Sequence, residues 1–322
     1  MKIEKIYRYP VKSMGGESIE TARITPTGLA GDRRYAIFDV ESGNIASAKS
    51  PRKWRKLLHC SARYLEEPDF SNGVKPIEIT FPDQTRVTSV DPKIDEKLSR
   101  LFEREVRLTT DYDVQPKSEL IWRVLPGQEA TEWTEHRKVK VEGTNDVVLF
   151  ELGGMVPKLA GNGNFQDLAP VHIMTTATLR RLAALSLLDS FDHRRYRPNI
   201  LIDTDETGFV EQSWLNRMLK IGETRMIVSI PTPRCVMTTL SQDGLETDRK
   251  TLRAIIKFNT LELEQMPGRW ACAGIYANPC GDYVLSKSDP VDMSSSRVSP
   301  EIANAMIGSL GQQPKFQHQA VP

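Results

Sequence analysis

A single cysteine follows an arginine in the segment PRCVMTT, residues 233–239, and two threonines come shortly after it. Cys235 offers a thiolate, a soft ligand that suits redox-active transition metals better than a carboxylate does. A cysteine becomes a thiolate most easily beside cationic groups, and Arg234 is its direct neighbour. The flanking prolines predict that this segment is a turn after a strand. A free cysteine can equally be a small apolar core residue, so the rest of the sequence has to decide.

Three further segments place cationic or amide side chains where a predicted strand meets a loop. YPVKSMGG, GLAGDRRYAIFD and HRRYRPNILID contribute, in this order, Lys12 and Ser13, Arg33, and Arg197 and Asn199. Such positions are held by the scaffold and remain open to a ligand. The two glycines of the first segment allow close backbone approach. Any one of these groups alone is typical of a solvated surface, so they indicate an anion site only if the fold brings them together.

Composition limits what this anion site can serve. Among 322 residues, 43 Lys and Arg face 42 Asp and Glu, which gives a net charge of +1 and no global field for nucleic acid or an anionic membrane. No apolar run approaches the length of a membrane span, and the first ten residues do not read as a secretory signal. Four scattered cysteines predict no disulfide framework, so a cytoplasmic location is expected.

Motif spacing argues against the commonest metal and nucleotide sites. The sequence contains no C-x-x-C pair for a zinc or iron–sulfur centre and no H-x-x-x-H pair on a helical face. It also lacks the glycine-rich patterns of the common nucleotide folds. The five histidines are therefore predicted to be surface or core residues.

Short strands separated by turn residues dominate the first hundred residues. They are predicted at KIEKIYRY, at RYAIFDV with IASA and IEITF with RVTSV as two hairpins, and at EVRLTT. One helix is expected to begin at Pro92 with Asp91 as its cap, because apolar residues recur at helical spacing as far as Phe102. This mixture predicts a small barrel or curled sheet over residues 1–115.

The remaining chain divides into three predicted parts. Residues 116–165 are interrupted by prolines, glycines and charges, which indicates an irregular inter-domain region with one strand at DVVLFEL. Residues 166–293 predict a mixed β-barrel, with strands at VHIM, NILID, MLKIG, TRMIVSI, WACAGIYAN and DYVLS and helices at ATLRRLAALSLL and RKTLRAIIKF. Residues 294–322 are expected to form a tail with one helix capped by Ser299 and a disordered end. The predicted fold class is thus mainly β with some α.

Taken in order, YPVKS, GLAGDRRY, RRYRPNI and PRC-x-x-TT resemble the MOSC family, in the form in which an N-terminal MOSC β-barrel domain precedes the MOSC domain. This architecture is known from the mitochondrial amidoxime-reducing component and from the C-terminal part of molybdenum cofactor sulfurase. The match runs from about residue 1 to about residue 293. The resemblance implies a molybdenum cofactor, whose molybdopterin carries a dithiolene and a phosphate. Such an anion requires Lys, Arg, Asn and backbone N–H donors.

The resemblance also implies a role for particular residues. Cys235 matches the cysteine whose sulfur binds molybdenum, so it is expected to be both metal ligand and catalytic residue. Ten other positions are expected at the cofactor: Lys12, Ser13, Arg33, Thr175, Thr176, Arg197, Asn199, Pro233, Arg234 and Tyr276. The match is weaker at the two threonines, because the residues around them differ from the family pattern.

Three functional interpretations follow from this resemblance. The first is an oxidoreductase that removes oxygen from N-hydroxylated substrates such as amidoximes or hydroxylamines. The second is a non-catalytic cofactor carrier or sulfur-transfer-related protein. MOSC domains of the sulfurase work beside a domain that uses pyridoxal phosphate, but this chain lacks that domain, so pyridoxal phosphate is an association of the family only. The third is a barrel whose ancestral site is empty.

The oxidoreductase interpretation implies a separate electron donor. Bacterial fused relatives carry a C-terminal ferredoxin-like domain with clustered cysteines, whereas Cys280 is the last cysteine of this chain. Electrons are therefore expected from a cytochrome b5-like protein or a flavoprotein. The membrane anchor of the mitochondrial relatives is not expected here.

Overall fold

The structure is a computed structural model that describes nine stretches of the chain: residues 1–68, 73–110, 119–123, 139–140, 147–151, 164–186, 191–242, 244–263 and 266–299. None of the helices in these stretches is both long enough and apolar enough to cross a membrane. The helix predicted after Ser299 and the predicted disordered end lie outside the described residues.

The first third of the chain consists of short strands and two helices. They are β1 Lys2–Arg8, β2 Glu17–Ile19, β3 Thr21–Thr25, β4 Gly28–Leu29, β5 Ala36–Asp39, β6 Asn44–Ile45, α1 Pro51–Trp54, β7 Ser61–Tyr64, β8 Ile77–Thr80, β9 Arg86–Thr88, α2 Ile94–Phe102 and β10 Val106–Thr109.

The rest of the chain alternates longer strands with two helices. These elements are β11 Glu119–Arg123, β12 Val139–Lys140, β13 Val147–Glu151, β14 Val171–Thr175, α3 Thr176–Ser186, β15 Ile200–Asp203, β16 Arg217–Ile221, β17 Thr224–Pro233, α4 Arg249–Phe258, β18 Thr260–Leu263, β19 Met266–Pro279, β20 Tyr283–Ser286 and β21 Val291–Arg297. The predicted mainly β fold with some α is confirmed.

A nine-stranded sheet joins the two ends of the chain. Its order is β2-β1-β15-β14-β19-β17-β16-β21, with β18 paired to β19. Strand β1 runs antiparallel to β15, with Ile3 opposite Ile202 and Ile6 opposite Ile200. Strand β20 pairs with β3 in the same way. The predicted 1–115 and 166–293 units are thus joined through shared sheets, and their boundaries stay a prediction.

The large sheet buries its centre on both faces. All five residues of the central strand β14 are buried, because Val171 and Ile173 pack into one apolar cluster and Met174 packs into another. Apolar side chains of β1, β15, β16 and β19 form one core cluster around Trp214. Another cluster places Leu182 of α3 and Ile255 of α4 against Met174 and Leu201 of the sheet. The ends of the central strands are therefore held rigidly between two apolar layers.

Smaller sheets surround a separate core in the first third of the chain. Strands β7, β8 and β9 form one sheet and β10, β5 and β6 another, and both predicted hairpins are confirmed as antiparallel pairs. Trp54, Leu98 and Phe102 lie in the core between them. In the predicted irregular region, the described residues form the three-stranded sheet β11-β13-β12, which includes the predicted strand at DVVLFEL.

The predicted start of one helix was wrong. Helix α2 begins at Ile94 rather than Pro92, because the Asp91 carboxylate accepts the Lys93 N–H at 2.8 Å and holds a turn before the helix. The first residues of the expected tail are extended, because β21 runs to Arg297 and pairs with β16. By contrast, α4 has the predicted bounds.

The prolines before Cys235 do not form the predicted turn. Strand β17 continues through Pro233, which lies opposite Cys272 of β19. Its register shifts on either side of Pro231, between Val228 and Ile230 and again before Pro233. Proline cannot donate to a ladder, so it is tolerated in a strand where a bulge interrupts the pairing. The turn itself comes later, in the 3-10 helix Val236–Thr239 that Cys235 precedes.

Gly274 in β19 allows the neighbouring strand β14 to pack closely. Its φ is +82°, and an added Cβ would lie 2.5 Å from His172 Nε2 and 2.7 Å from the Ile173 carbonyl oxygen.

We expect Gly274→Ala to lower the free energy of unfolding by about 2–4 kcal/mol, because the strain of the left-handed backbone and the overlap of the added Cβ both destabilise the folded state. Denaturant unfolding measures this change. Gly208→Ala is the matched control, since Gly208 also has positive φ but nothing within 4 Å, and should lose only about 1 kcal/mol. Equal losses would contradict the packing role.

Candidate functional site: a cationic cluster beside Cys235

Tyr9 brings two arginines together at the end of β1. The guanidinium carbons of Arg33 and Arg197 lie 4.8 and 4.2 Å from its ring centroid. The ring is fixed because the Tyr9 N–H donates to Asp32 Oδ1 at 2.9 Å and its hydroxyl donates to the Pro198 carbonyl at 3.1 Å. The face of an aromatic ring attracts cations, so Tyr9 positions the two guanidinium groups despite their mutual repulsion.

Three predicted site residues have a left-handed backbone. The φ angles of Ser13, Arg33 and Arg197 are 66°, 51° and 55°. For a residue other than glycine this conformation costs about 1–2 kcal/mol, and such strain concentrates at functional sites. The turn at Ser13 is fixed by its hydroxyl, which accepts the Ala48 N–H at 3.1 Å.

Asn199 joins three segments through its side chain. Its Oδ1 accepts the His172 N–H at 3.1 Å and Arg33 Nη1 at 3.5 Å, and its Nδ2 donates to the Tyr7 carbonyl at 3.3 Å. The residue is only 1% exposed. The Asn199 side chain therefore connects β1, β14 and Arg33. Both its Oδ1 and its Nδ2 already have hydrogen-bond partners within the protein.

His172 lies between Arg197 and Arg234. Its Nδ1 is 3.3 Å from the Arg197 carbonyl oxygen, which can only accept, so Nδ1 carries the proton. Nε2 then accepts from Arg234 Nη1 at 3.4 Å. Burial first, and Arg234 second, hold the pKa of His172 well below its usual value, which keeps the ring neutral. Arg234 Nη2 also donates to the Tyr196 carbonyl at 2.7 Å.

A second group consists of two lysines that share one carboxylate. Asp167 Oδ1 lies 2.8 Å from Lys12 Nζ and 2.9 Å from Lys49 Nζ, and Lys12 Nζ also donates to the Phe165 carbonyl at 2.9 Å. Burial alone would raise the pKa of Asp167, but the two lysines hold it well below its usual range. Two cations facing one anion leave an excess positive charge.

Lys49 connects this group with Cys235. Burial would lower the pKa of Lys49, but Asp167 above all, and then Cys235 and Tyr276, raise it. Burial, followed by the charge of Asp167, raises the pKa of Tyr276, while Arg234, Lys49 and Arg33 lower it. Its ring centroid lies 5.4 Å from that of His172. Cys235 as a residue is half-buried, whereas Cys60 and Cys272 are buried.

We call the set Lys12, Arg33, Lys49, Arg197 and Arg234 the cationic cluster. Two of its buried donors, Arg197 Nη2 and Arg234 Nε, have no hydrogen-bond partner within the described part of the chain. Burial, followed by Arg33, lowers the pKa of Arg197 to about 10. A buried donor without a partner costs about 1–3 kcal/mol, more when charged, and an anionic ligand would satisfy it. The residues therefore fit an anion such as a phosphate-bearing pterin, with a thiol beside it.

Some predicted contacts lie elsewhere. The Thr175 hydroxyl accepts the Thr178 N–H at 3.1 Å and caps α3, while the Thr176 hydroxyl donates to Asp203 Oδ1 at 3.2 Å. No described contact joins either threonine to the cationic cluster. Pro233 lies in β17, directly before Arg234. At Gly16 the close neighbour is the protein's own backbone, because an added Cβ would overlap the Arg8 carbonyl oxygen.

Four members of this site were not predicted from the sequence. Tyr9 is in a quoted motif, but its part in positioning two arginines depends on strand pairing. His172 reads as a core histidine. Lys49 in SAKSP and Asp167 in GNGNFQD belong to no motif, and they meet only because the chain folds back. A lysine and an aspartate next to short apolar segments are weak signals in any sequence.

Comparison with known families gives the same order of domains. The family described as "MOSC N-terminal beta barrel domain" matches residues 1–70, and the family described as "MOSC domain" matches residues 160–290. The chain therefore belongs to the MOSC family, in the form that carries both domains. The MOSC domain is associated with binding of the molybdenum cofactor.

Several mitochondrial proteins resemble this chain over most of its length. Mitochondrial amidoxime reducing component 2 of Macaca fascicularis is 26% identical over 262 residues, and the protein of the same name from Homo sapiens is 25% identical over 264. Each alignment covers 77% of this chain and 69% of the relative. The YUAD protein from Bacillus subtilis has 8% identity, covers 92% of this chain and 96% of its own, and gives a TM-score of 0.41.

The charge of Lys49 can be tested at the Cys235 thiol. Iodoacetate and iodoacetamide both alkylate a thiolate, but only iodoacetate is an anion, so the ratio of their rates reports the local charge. We expect Lys49→Gln to lower this ratio at Cys235 about three- to tenfold, as loss of a nearby charge at intermediate dielectric predicts. Peptide mass spectrometry isolates the rate at this cysteine.

Two variants control this measurement. Lys49→Arg keeps the charge and should keep the ratio. Lys287→Gln removes an exposed lysine paired with Glu20 and should leave the ratio unchanged. An unchanged ratio in Lys49→Gln would show that Lys49 does not act on the space around Cys235.

Neutral His172 should make stability depend on pH. Because its pKa is depressed in the folded protein, the unfolded chain takes up a proton first as the pH falls below about 6.5, and stability is lost. We expect wild type to lose about 1 kcal/mol more than His172→Gln between about pH 7.5 and about pH 5.5, measured by urea unfolding. His193, whose pKa is also lowered by burial, titrates in both proteins and cancels. Parallel stability curves would refute a neutral, buried His172.

Proposed function

We propose that the protein is a molybdenum-cofactor-dependent oxidoreductase that reduces N-hydroxylated compounds such as amidoximes or hydroxylamines. The observation that carries this proposal is a group of five cations, two of them with an unpartnered buried donor, in which Arg234 directly precedes the half-buried Cys235 and Lys49 interacts electrostatically with it. Membership of the MOSC family supports the cofactor, and relatives named amidoxime reducing components support the substrate class.

Each part of the cluster has a role in holding the cofactor. Arg33 and Arg197 would bind its phosphate and pterin, because paired guanidinium groups are the strongest phosphate donors. Lys12 and Ser13 would complete this end of the site, and Arg234, the direct neighbour of Cys235, would add a further cation for the cofactor. Cys235 would bind molybdenum through its sulfur. When bound, the cofactor supplies the two-electron chemistry that side chains lack.

The reaction also consumes protons. Converting an N-hydroxyl group into an N–H group and water takes up two electrons and two protons. Lys49 Nζ and Tyr276 Oη both carry a proton at neutral pH, because the pKa of each is raised. Both interact with the groups around Cys235. We therefore assign proton holding to Lys49 and Tyr276, while His172 stays neutral and positions Arg234.

Two further parts of the proposal concern the surroundings of the protein. The electrons come from a separate protein, since the described residues contain no second redox centre built from cysteines. A cytoplasmic location remains our expectation from the cysteine content of the sequence.

Metal content and turnover test the proposal together. Protein purified from a host that makes molybdopterin should contain equimolar molybdenum and reduce benzamidoxime with reduced methyl viologen. In Cys235→Ala, we expect turnover to fall at least about 100-fold, the upper range for residues that merely support metal ligands. Cys280→Ala is the matched control, because Cys280 is the other half-buried cysteine.

The outcomes separate the alternatives. Bound molybdenum without turnover on any N-hydroxylated compound would leave the cofactor carrier. Wild type without molybdenum would leave a barrel with an empty site. Full activity of Cys235→Ala would refute the role of its sulfur.

A further inference from the structure

Helix α4 has a strongly basic outer face. Its sequence RKTLRAIIKF contains no acidic residue, and all four of its cations are exposed: Arg249, Lys250, Arg253 and Lys257. At 3.6 residues per turn these four side chains fall within an arc of about 100°. Thr251, Ala254 and Ile255 are buried on the other side. We call the four exposed cations the α4 basic face.

Nothing in the described part of the chain neutralises this face. None of its four side chains forms a salt bridge with a described residue, whereas Lys12, Arg33 and Lys49 each do. Lys257 Nζ lies 4.9 Å from the ring centroid of Phe258, which has no formal charge. The chain as a whole has a net charge of only +1, so this concentration of positive charge is local. An uncompensated patch attracts a partner of opposite charge.

The same helix is bound to the turn that follows Cys235. The Asp248 N–H, at the start of α4, donates to the Thr239 carbonyl at 2.9 Å. The Thr251 hydroxyl donates to the Thr238 carbonyl at 3.3 Å. The Thr238 N–H and hydroxyl both donate to the Cys235 carbonyl, at 3.2 and 3.1 Å. A short chain of hydrogen bonds thus leads from the buried side of α4 to Cys235.

From this geometry we propose that the α4 basic face is the docking surface for an electron-donor protein with an acidic patch around its haem or flavin. This inference rests on the proposed function, because only a reductase needs such a donor. The donor would be oxidised and would supply the two electrons that reduction of an N-hydroxyl group takes up, and the two protons would come through Lys49 and Tyr276. A helix is about 10 Å thick, so a donor on the outer face lies one helix away from the Cys235 turn.

The dimensions favour a protein rather than a membrane or a nucleic acid. The face spans about 12 Å along the helix, at a rise of about 1.5 Å per residue. That length matches the charged part of a transient protein interface and is short for a nucleic acid, whose binding needs many phosphate contacts. The α4 basic face also lies behind the turn that follows Cys235, where an electron donor would have a function.

Charge reversal on the outer face tests this proposal. The variant is Arg253→Glu with Lys257→Glu, which leaves the buried side of α4 intact. The control is Lys220→Glu with Arg225→Glu, an exposed cross-strand pair on β16 and β17 with the same change in net charge. The probe is the soluble haem domain of a cytochrome b5, used as an acidic donor protein. Its binding is measured by calorimetry, and benzamidoxime turnover is measured with this donor and with methyl viologen.

The expected result separates docking from chemistry. At about 10 mM ionic strength, where the Debye length is about 30 Å, the α4 variant should bind the haem domain at least about tenfold more weakly than wild type or the control. Its turnover with methyl viologen should stay within about twofold of wild type, and the difference in binding should shrink at about 0.15 M salt.

Other results would overturn the proposal. Wild type that does not bind the haem domain at low salt, or binds it no better than the α4 variant, removes the docking surface. Loss of binding to phosphatidylserine vesicles, with unchanged binding to the haem domain, would assign the face to a membrane. Absence of turnover with methyl viologen contradicts the proposed reductase instead, and the binding comparison still decides whether the face binds an acidic protein.

Discussion

The main constraint on this structure is the mutual repulsion of five cations that the fold holds in one region. Lys12, Arg33, Lys49, Arg197 and Arg234 face two carboxylates, Asp32 and Asp167, in a largely buried region. The remaining positive charge is costly, as the lowered pKa of Arg197 and the unpartnered donors show. Folding tolerates this cost because Tyr9, Asn199 and His172 fix the cations in position. The excess charge makes physical sense as a place for an anion.

The sheet explains how distant segments can meet under that repulsion. Strand β1 ends at Arg8, directly before Tyr9 and beside the start of β15, and β14 and β19 bring His172 and Tyr276 to the same end of the sheet. Apolar clusters pack against both faces of this sheet, so the burial of aliphatic surface offsets the electrostatic cost of the cations. Left-handed backbone at Ser13, Arg33 and Arg197 shows that the loops between these strands are held in strained conformations. A rigid scaffold with strained, charged loops is typical of a binding site that is formed before its ligand arrives.

Local patterns in the sequence predicted much of this molecule, and long-range contacts account for most of what was missed. The helix RKTLRAIIKF and both hairpins follow from apolar periodicity and turn residues, which act over a few positions. The pairing of β3 with β20 and the meeting of Lys49 with Asp167 depend on contacts between remote segments. Pro231 and Pro233 indicated a turn, but pairing with β19 keeps them extended. A common site for Lys12, Arg33 and Arg197 was implied by the resemblance to the MOSC family, whereas Tyr9 was missed as the ring that joins two of them.

The most direct measurement is the stabilisation of the cofactor-free protein by a small anion. Phosphate at about ten times its dissociation constant should raise the free energy of unfolding of wild type by about 1 kcal/mol, compared with chloride at equal ionic strength. Arg197→Gln should lose this gain, because it removes the guanidinium group with the unpartnered Nη2. General salt effects on burial act on both proteins and cancel in the comparison. An equal phosphate effect in wild type and variant would contradict the claim that the buried charge is an anion site.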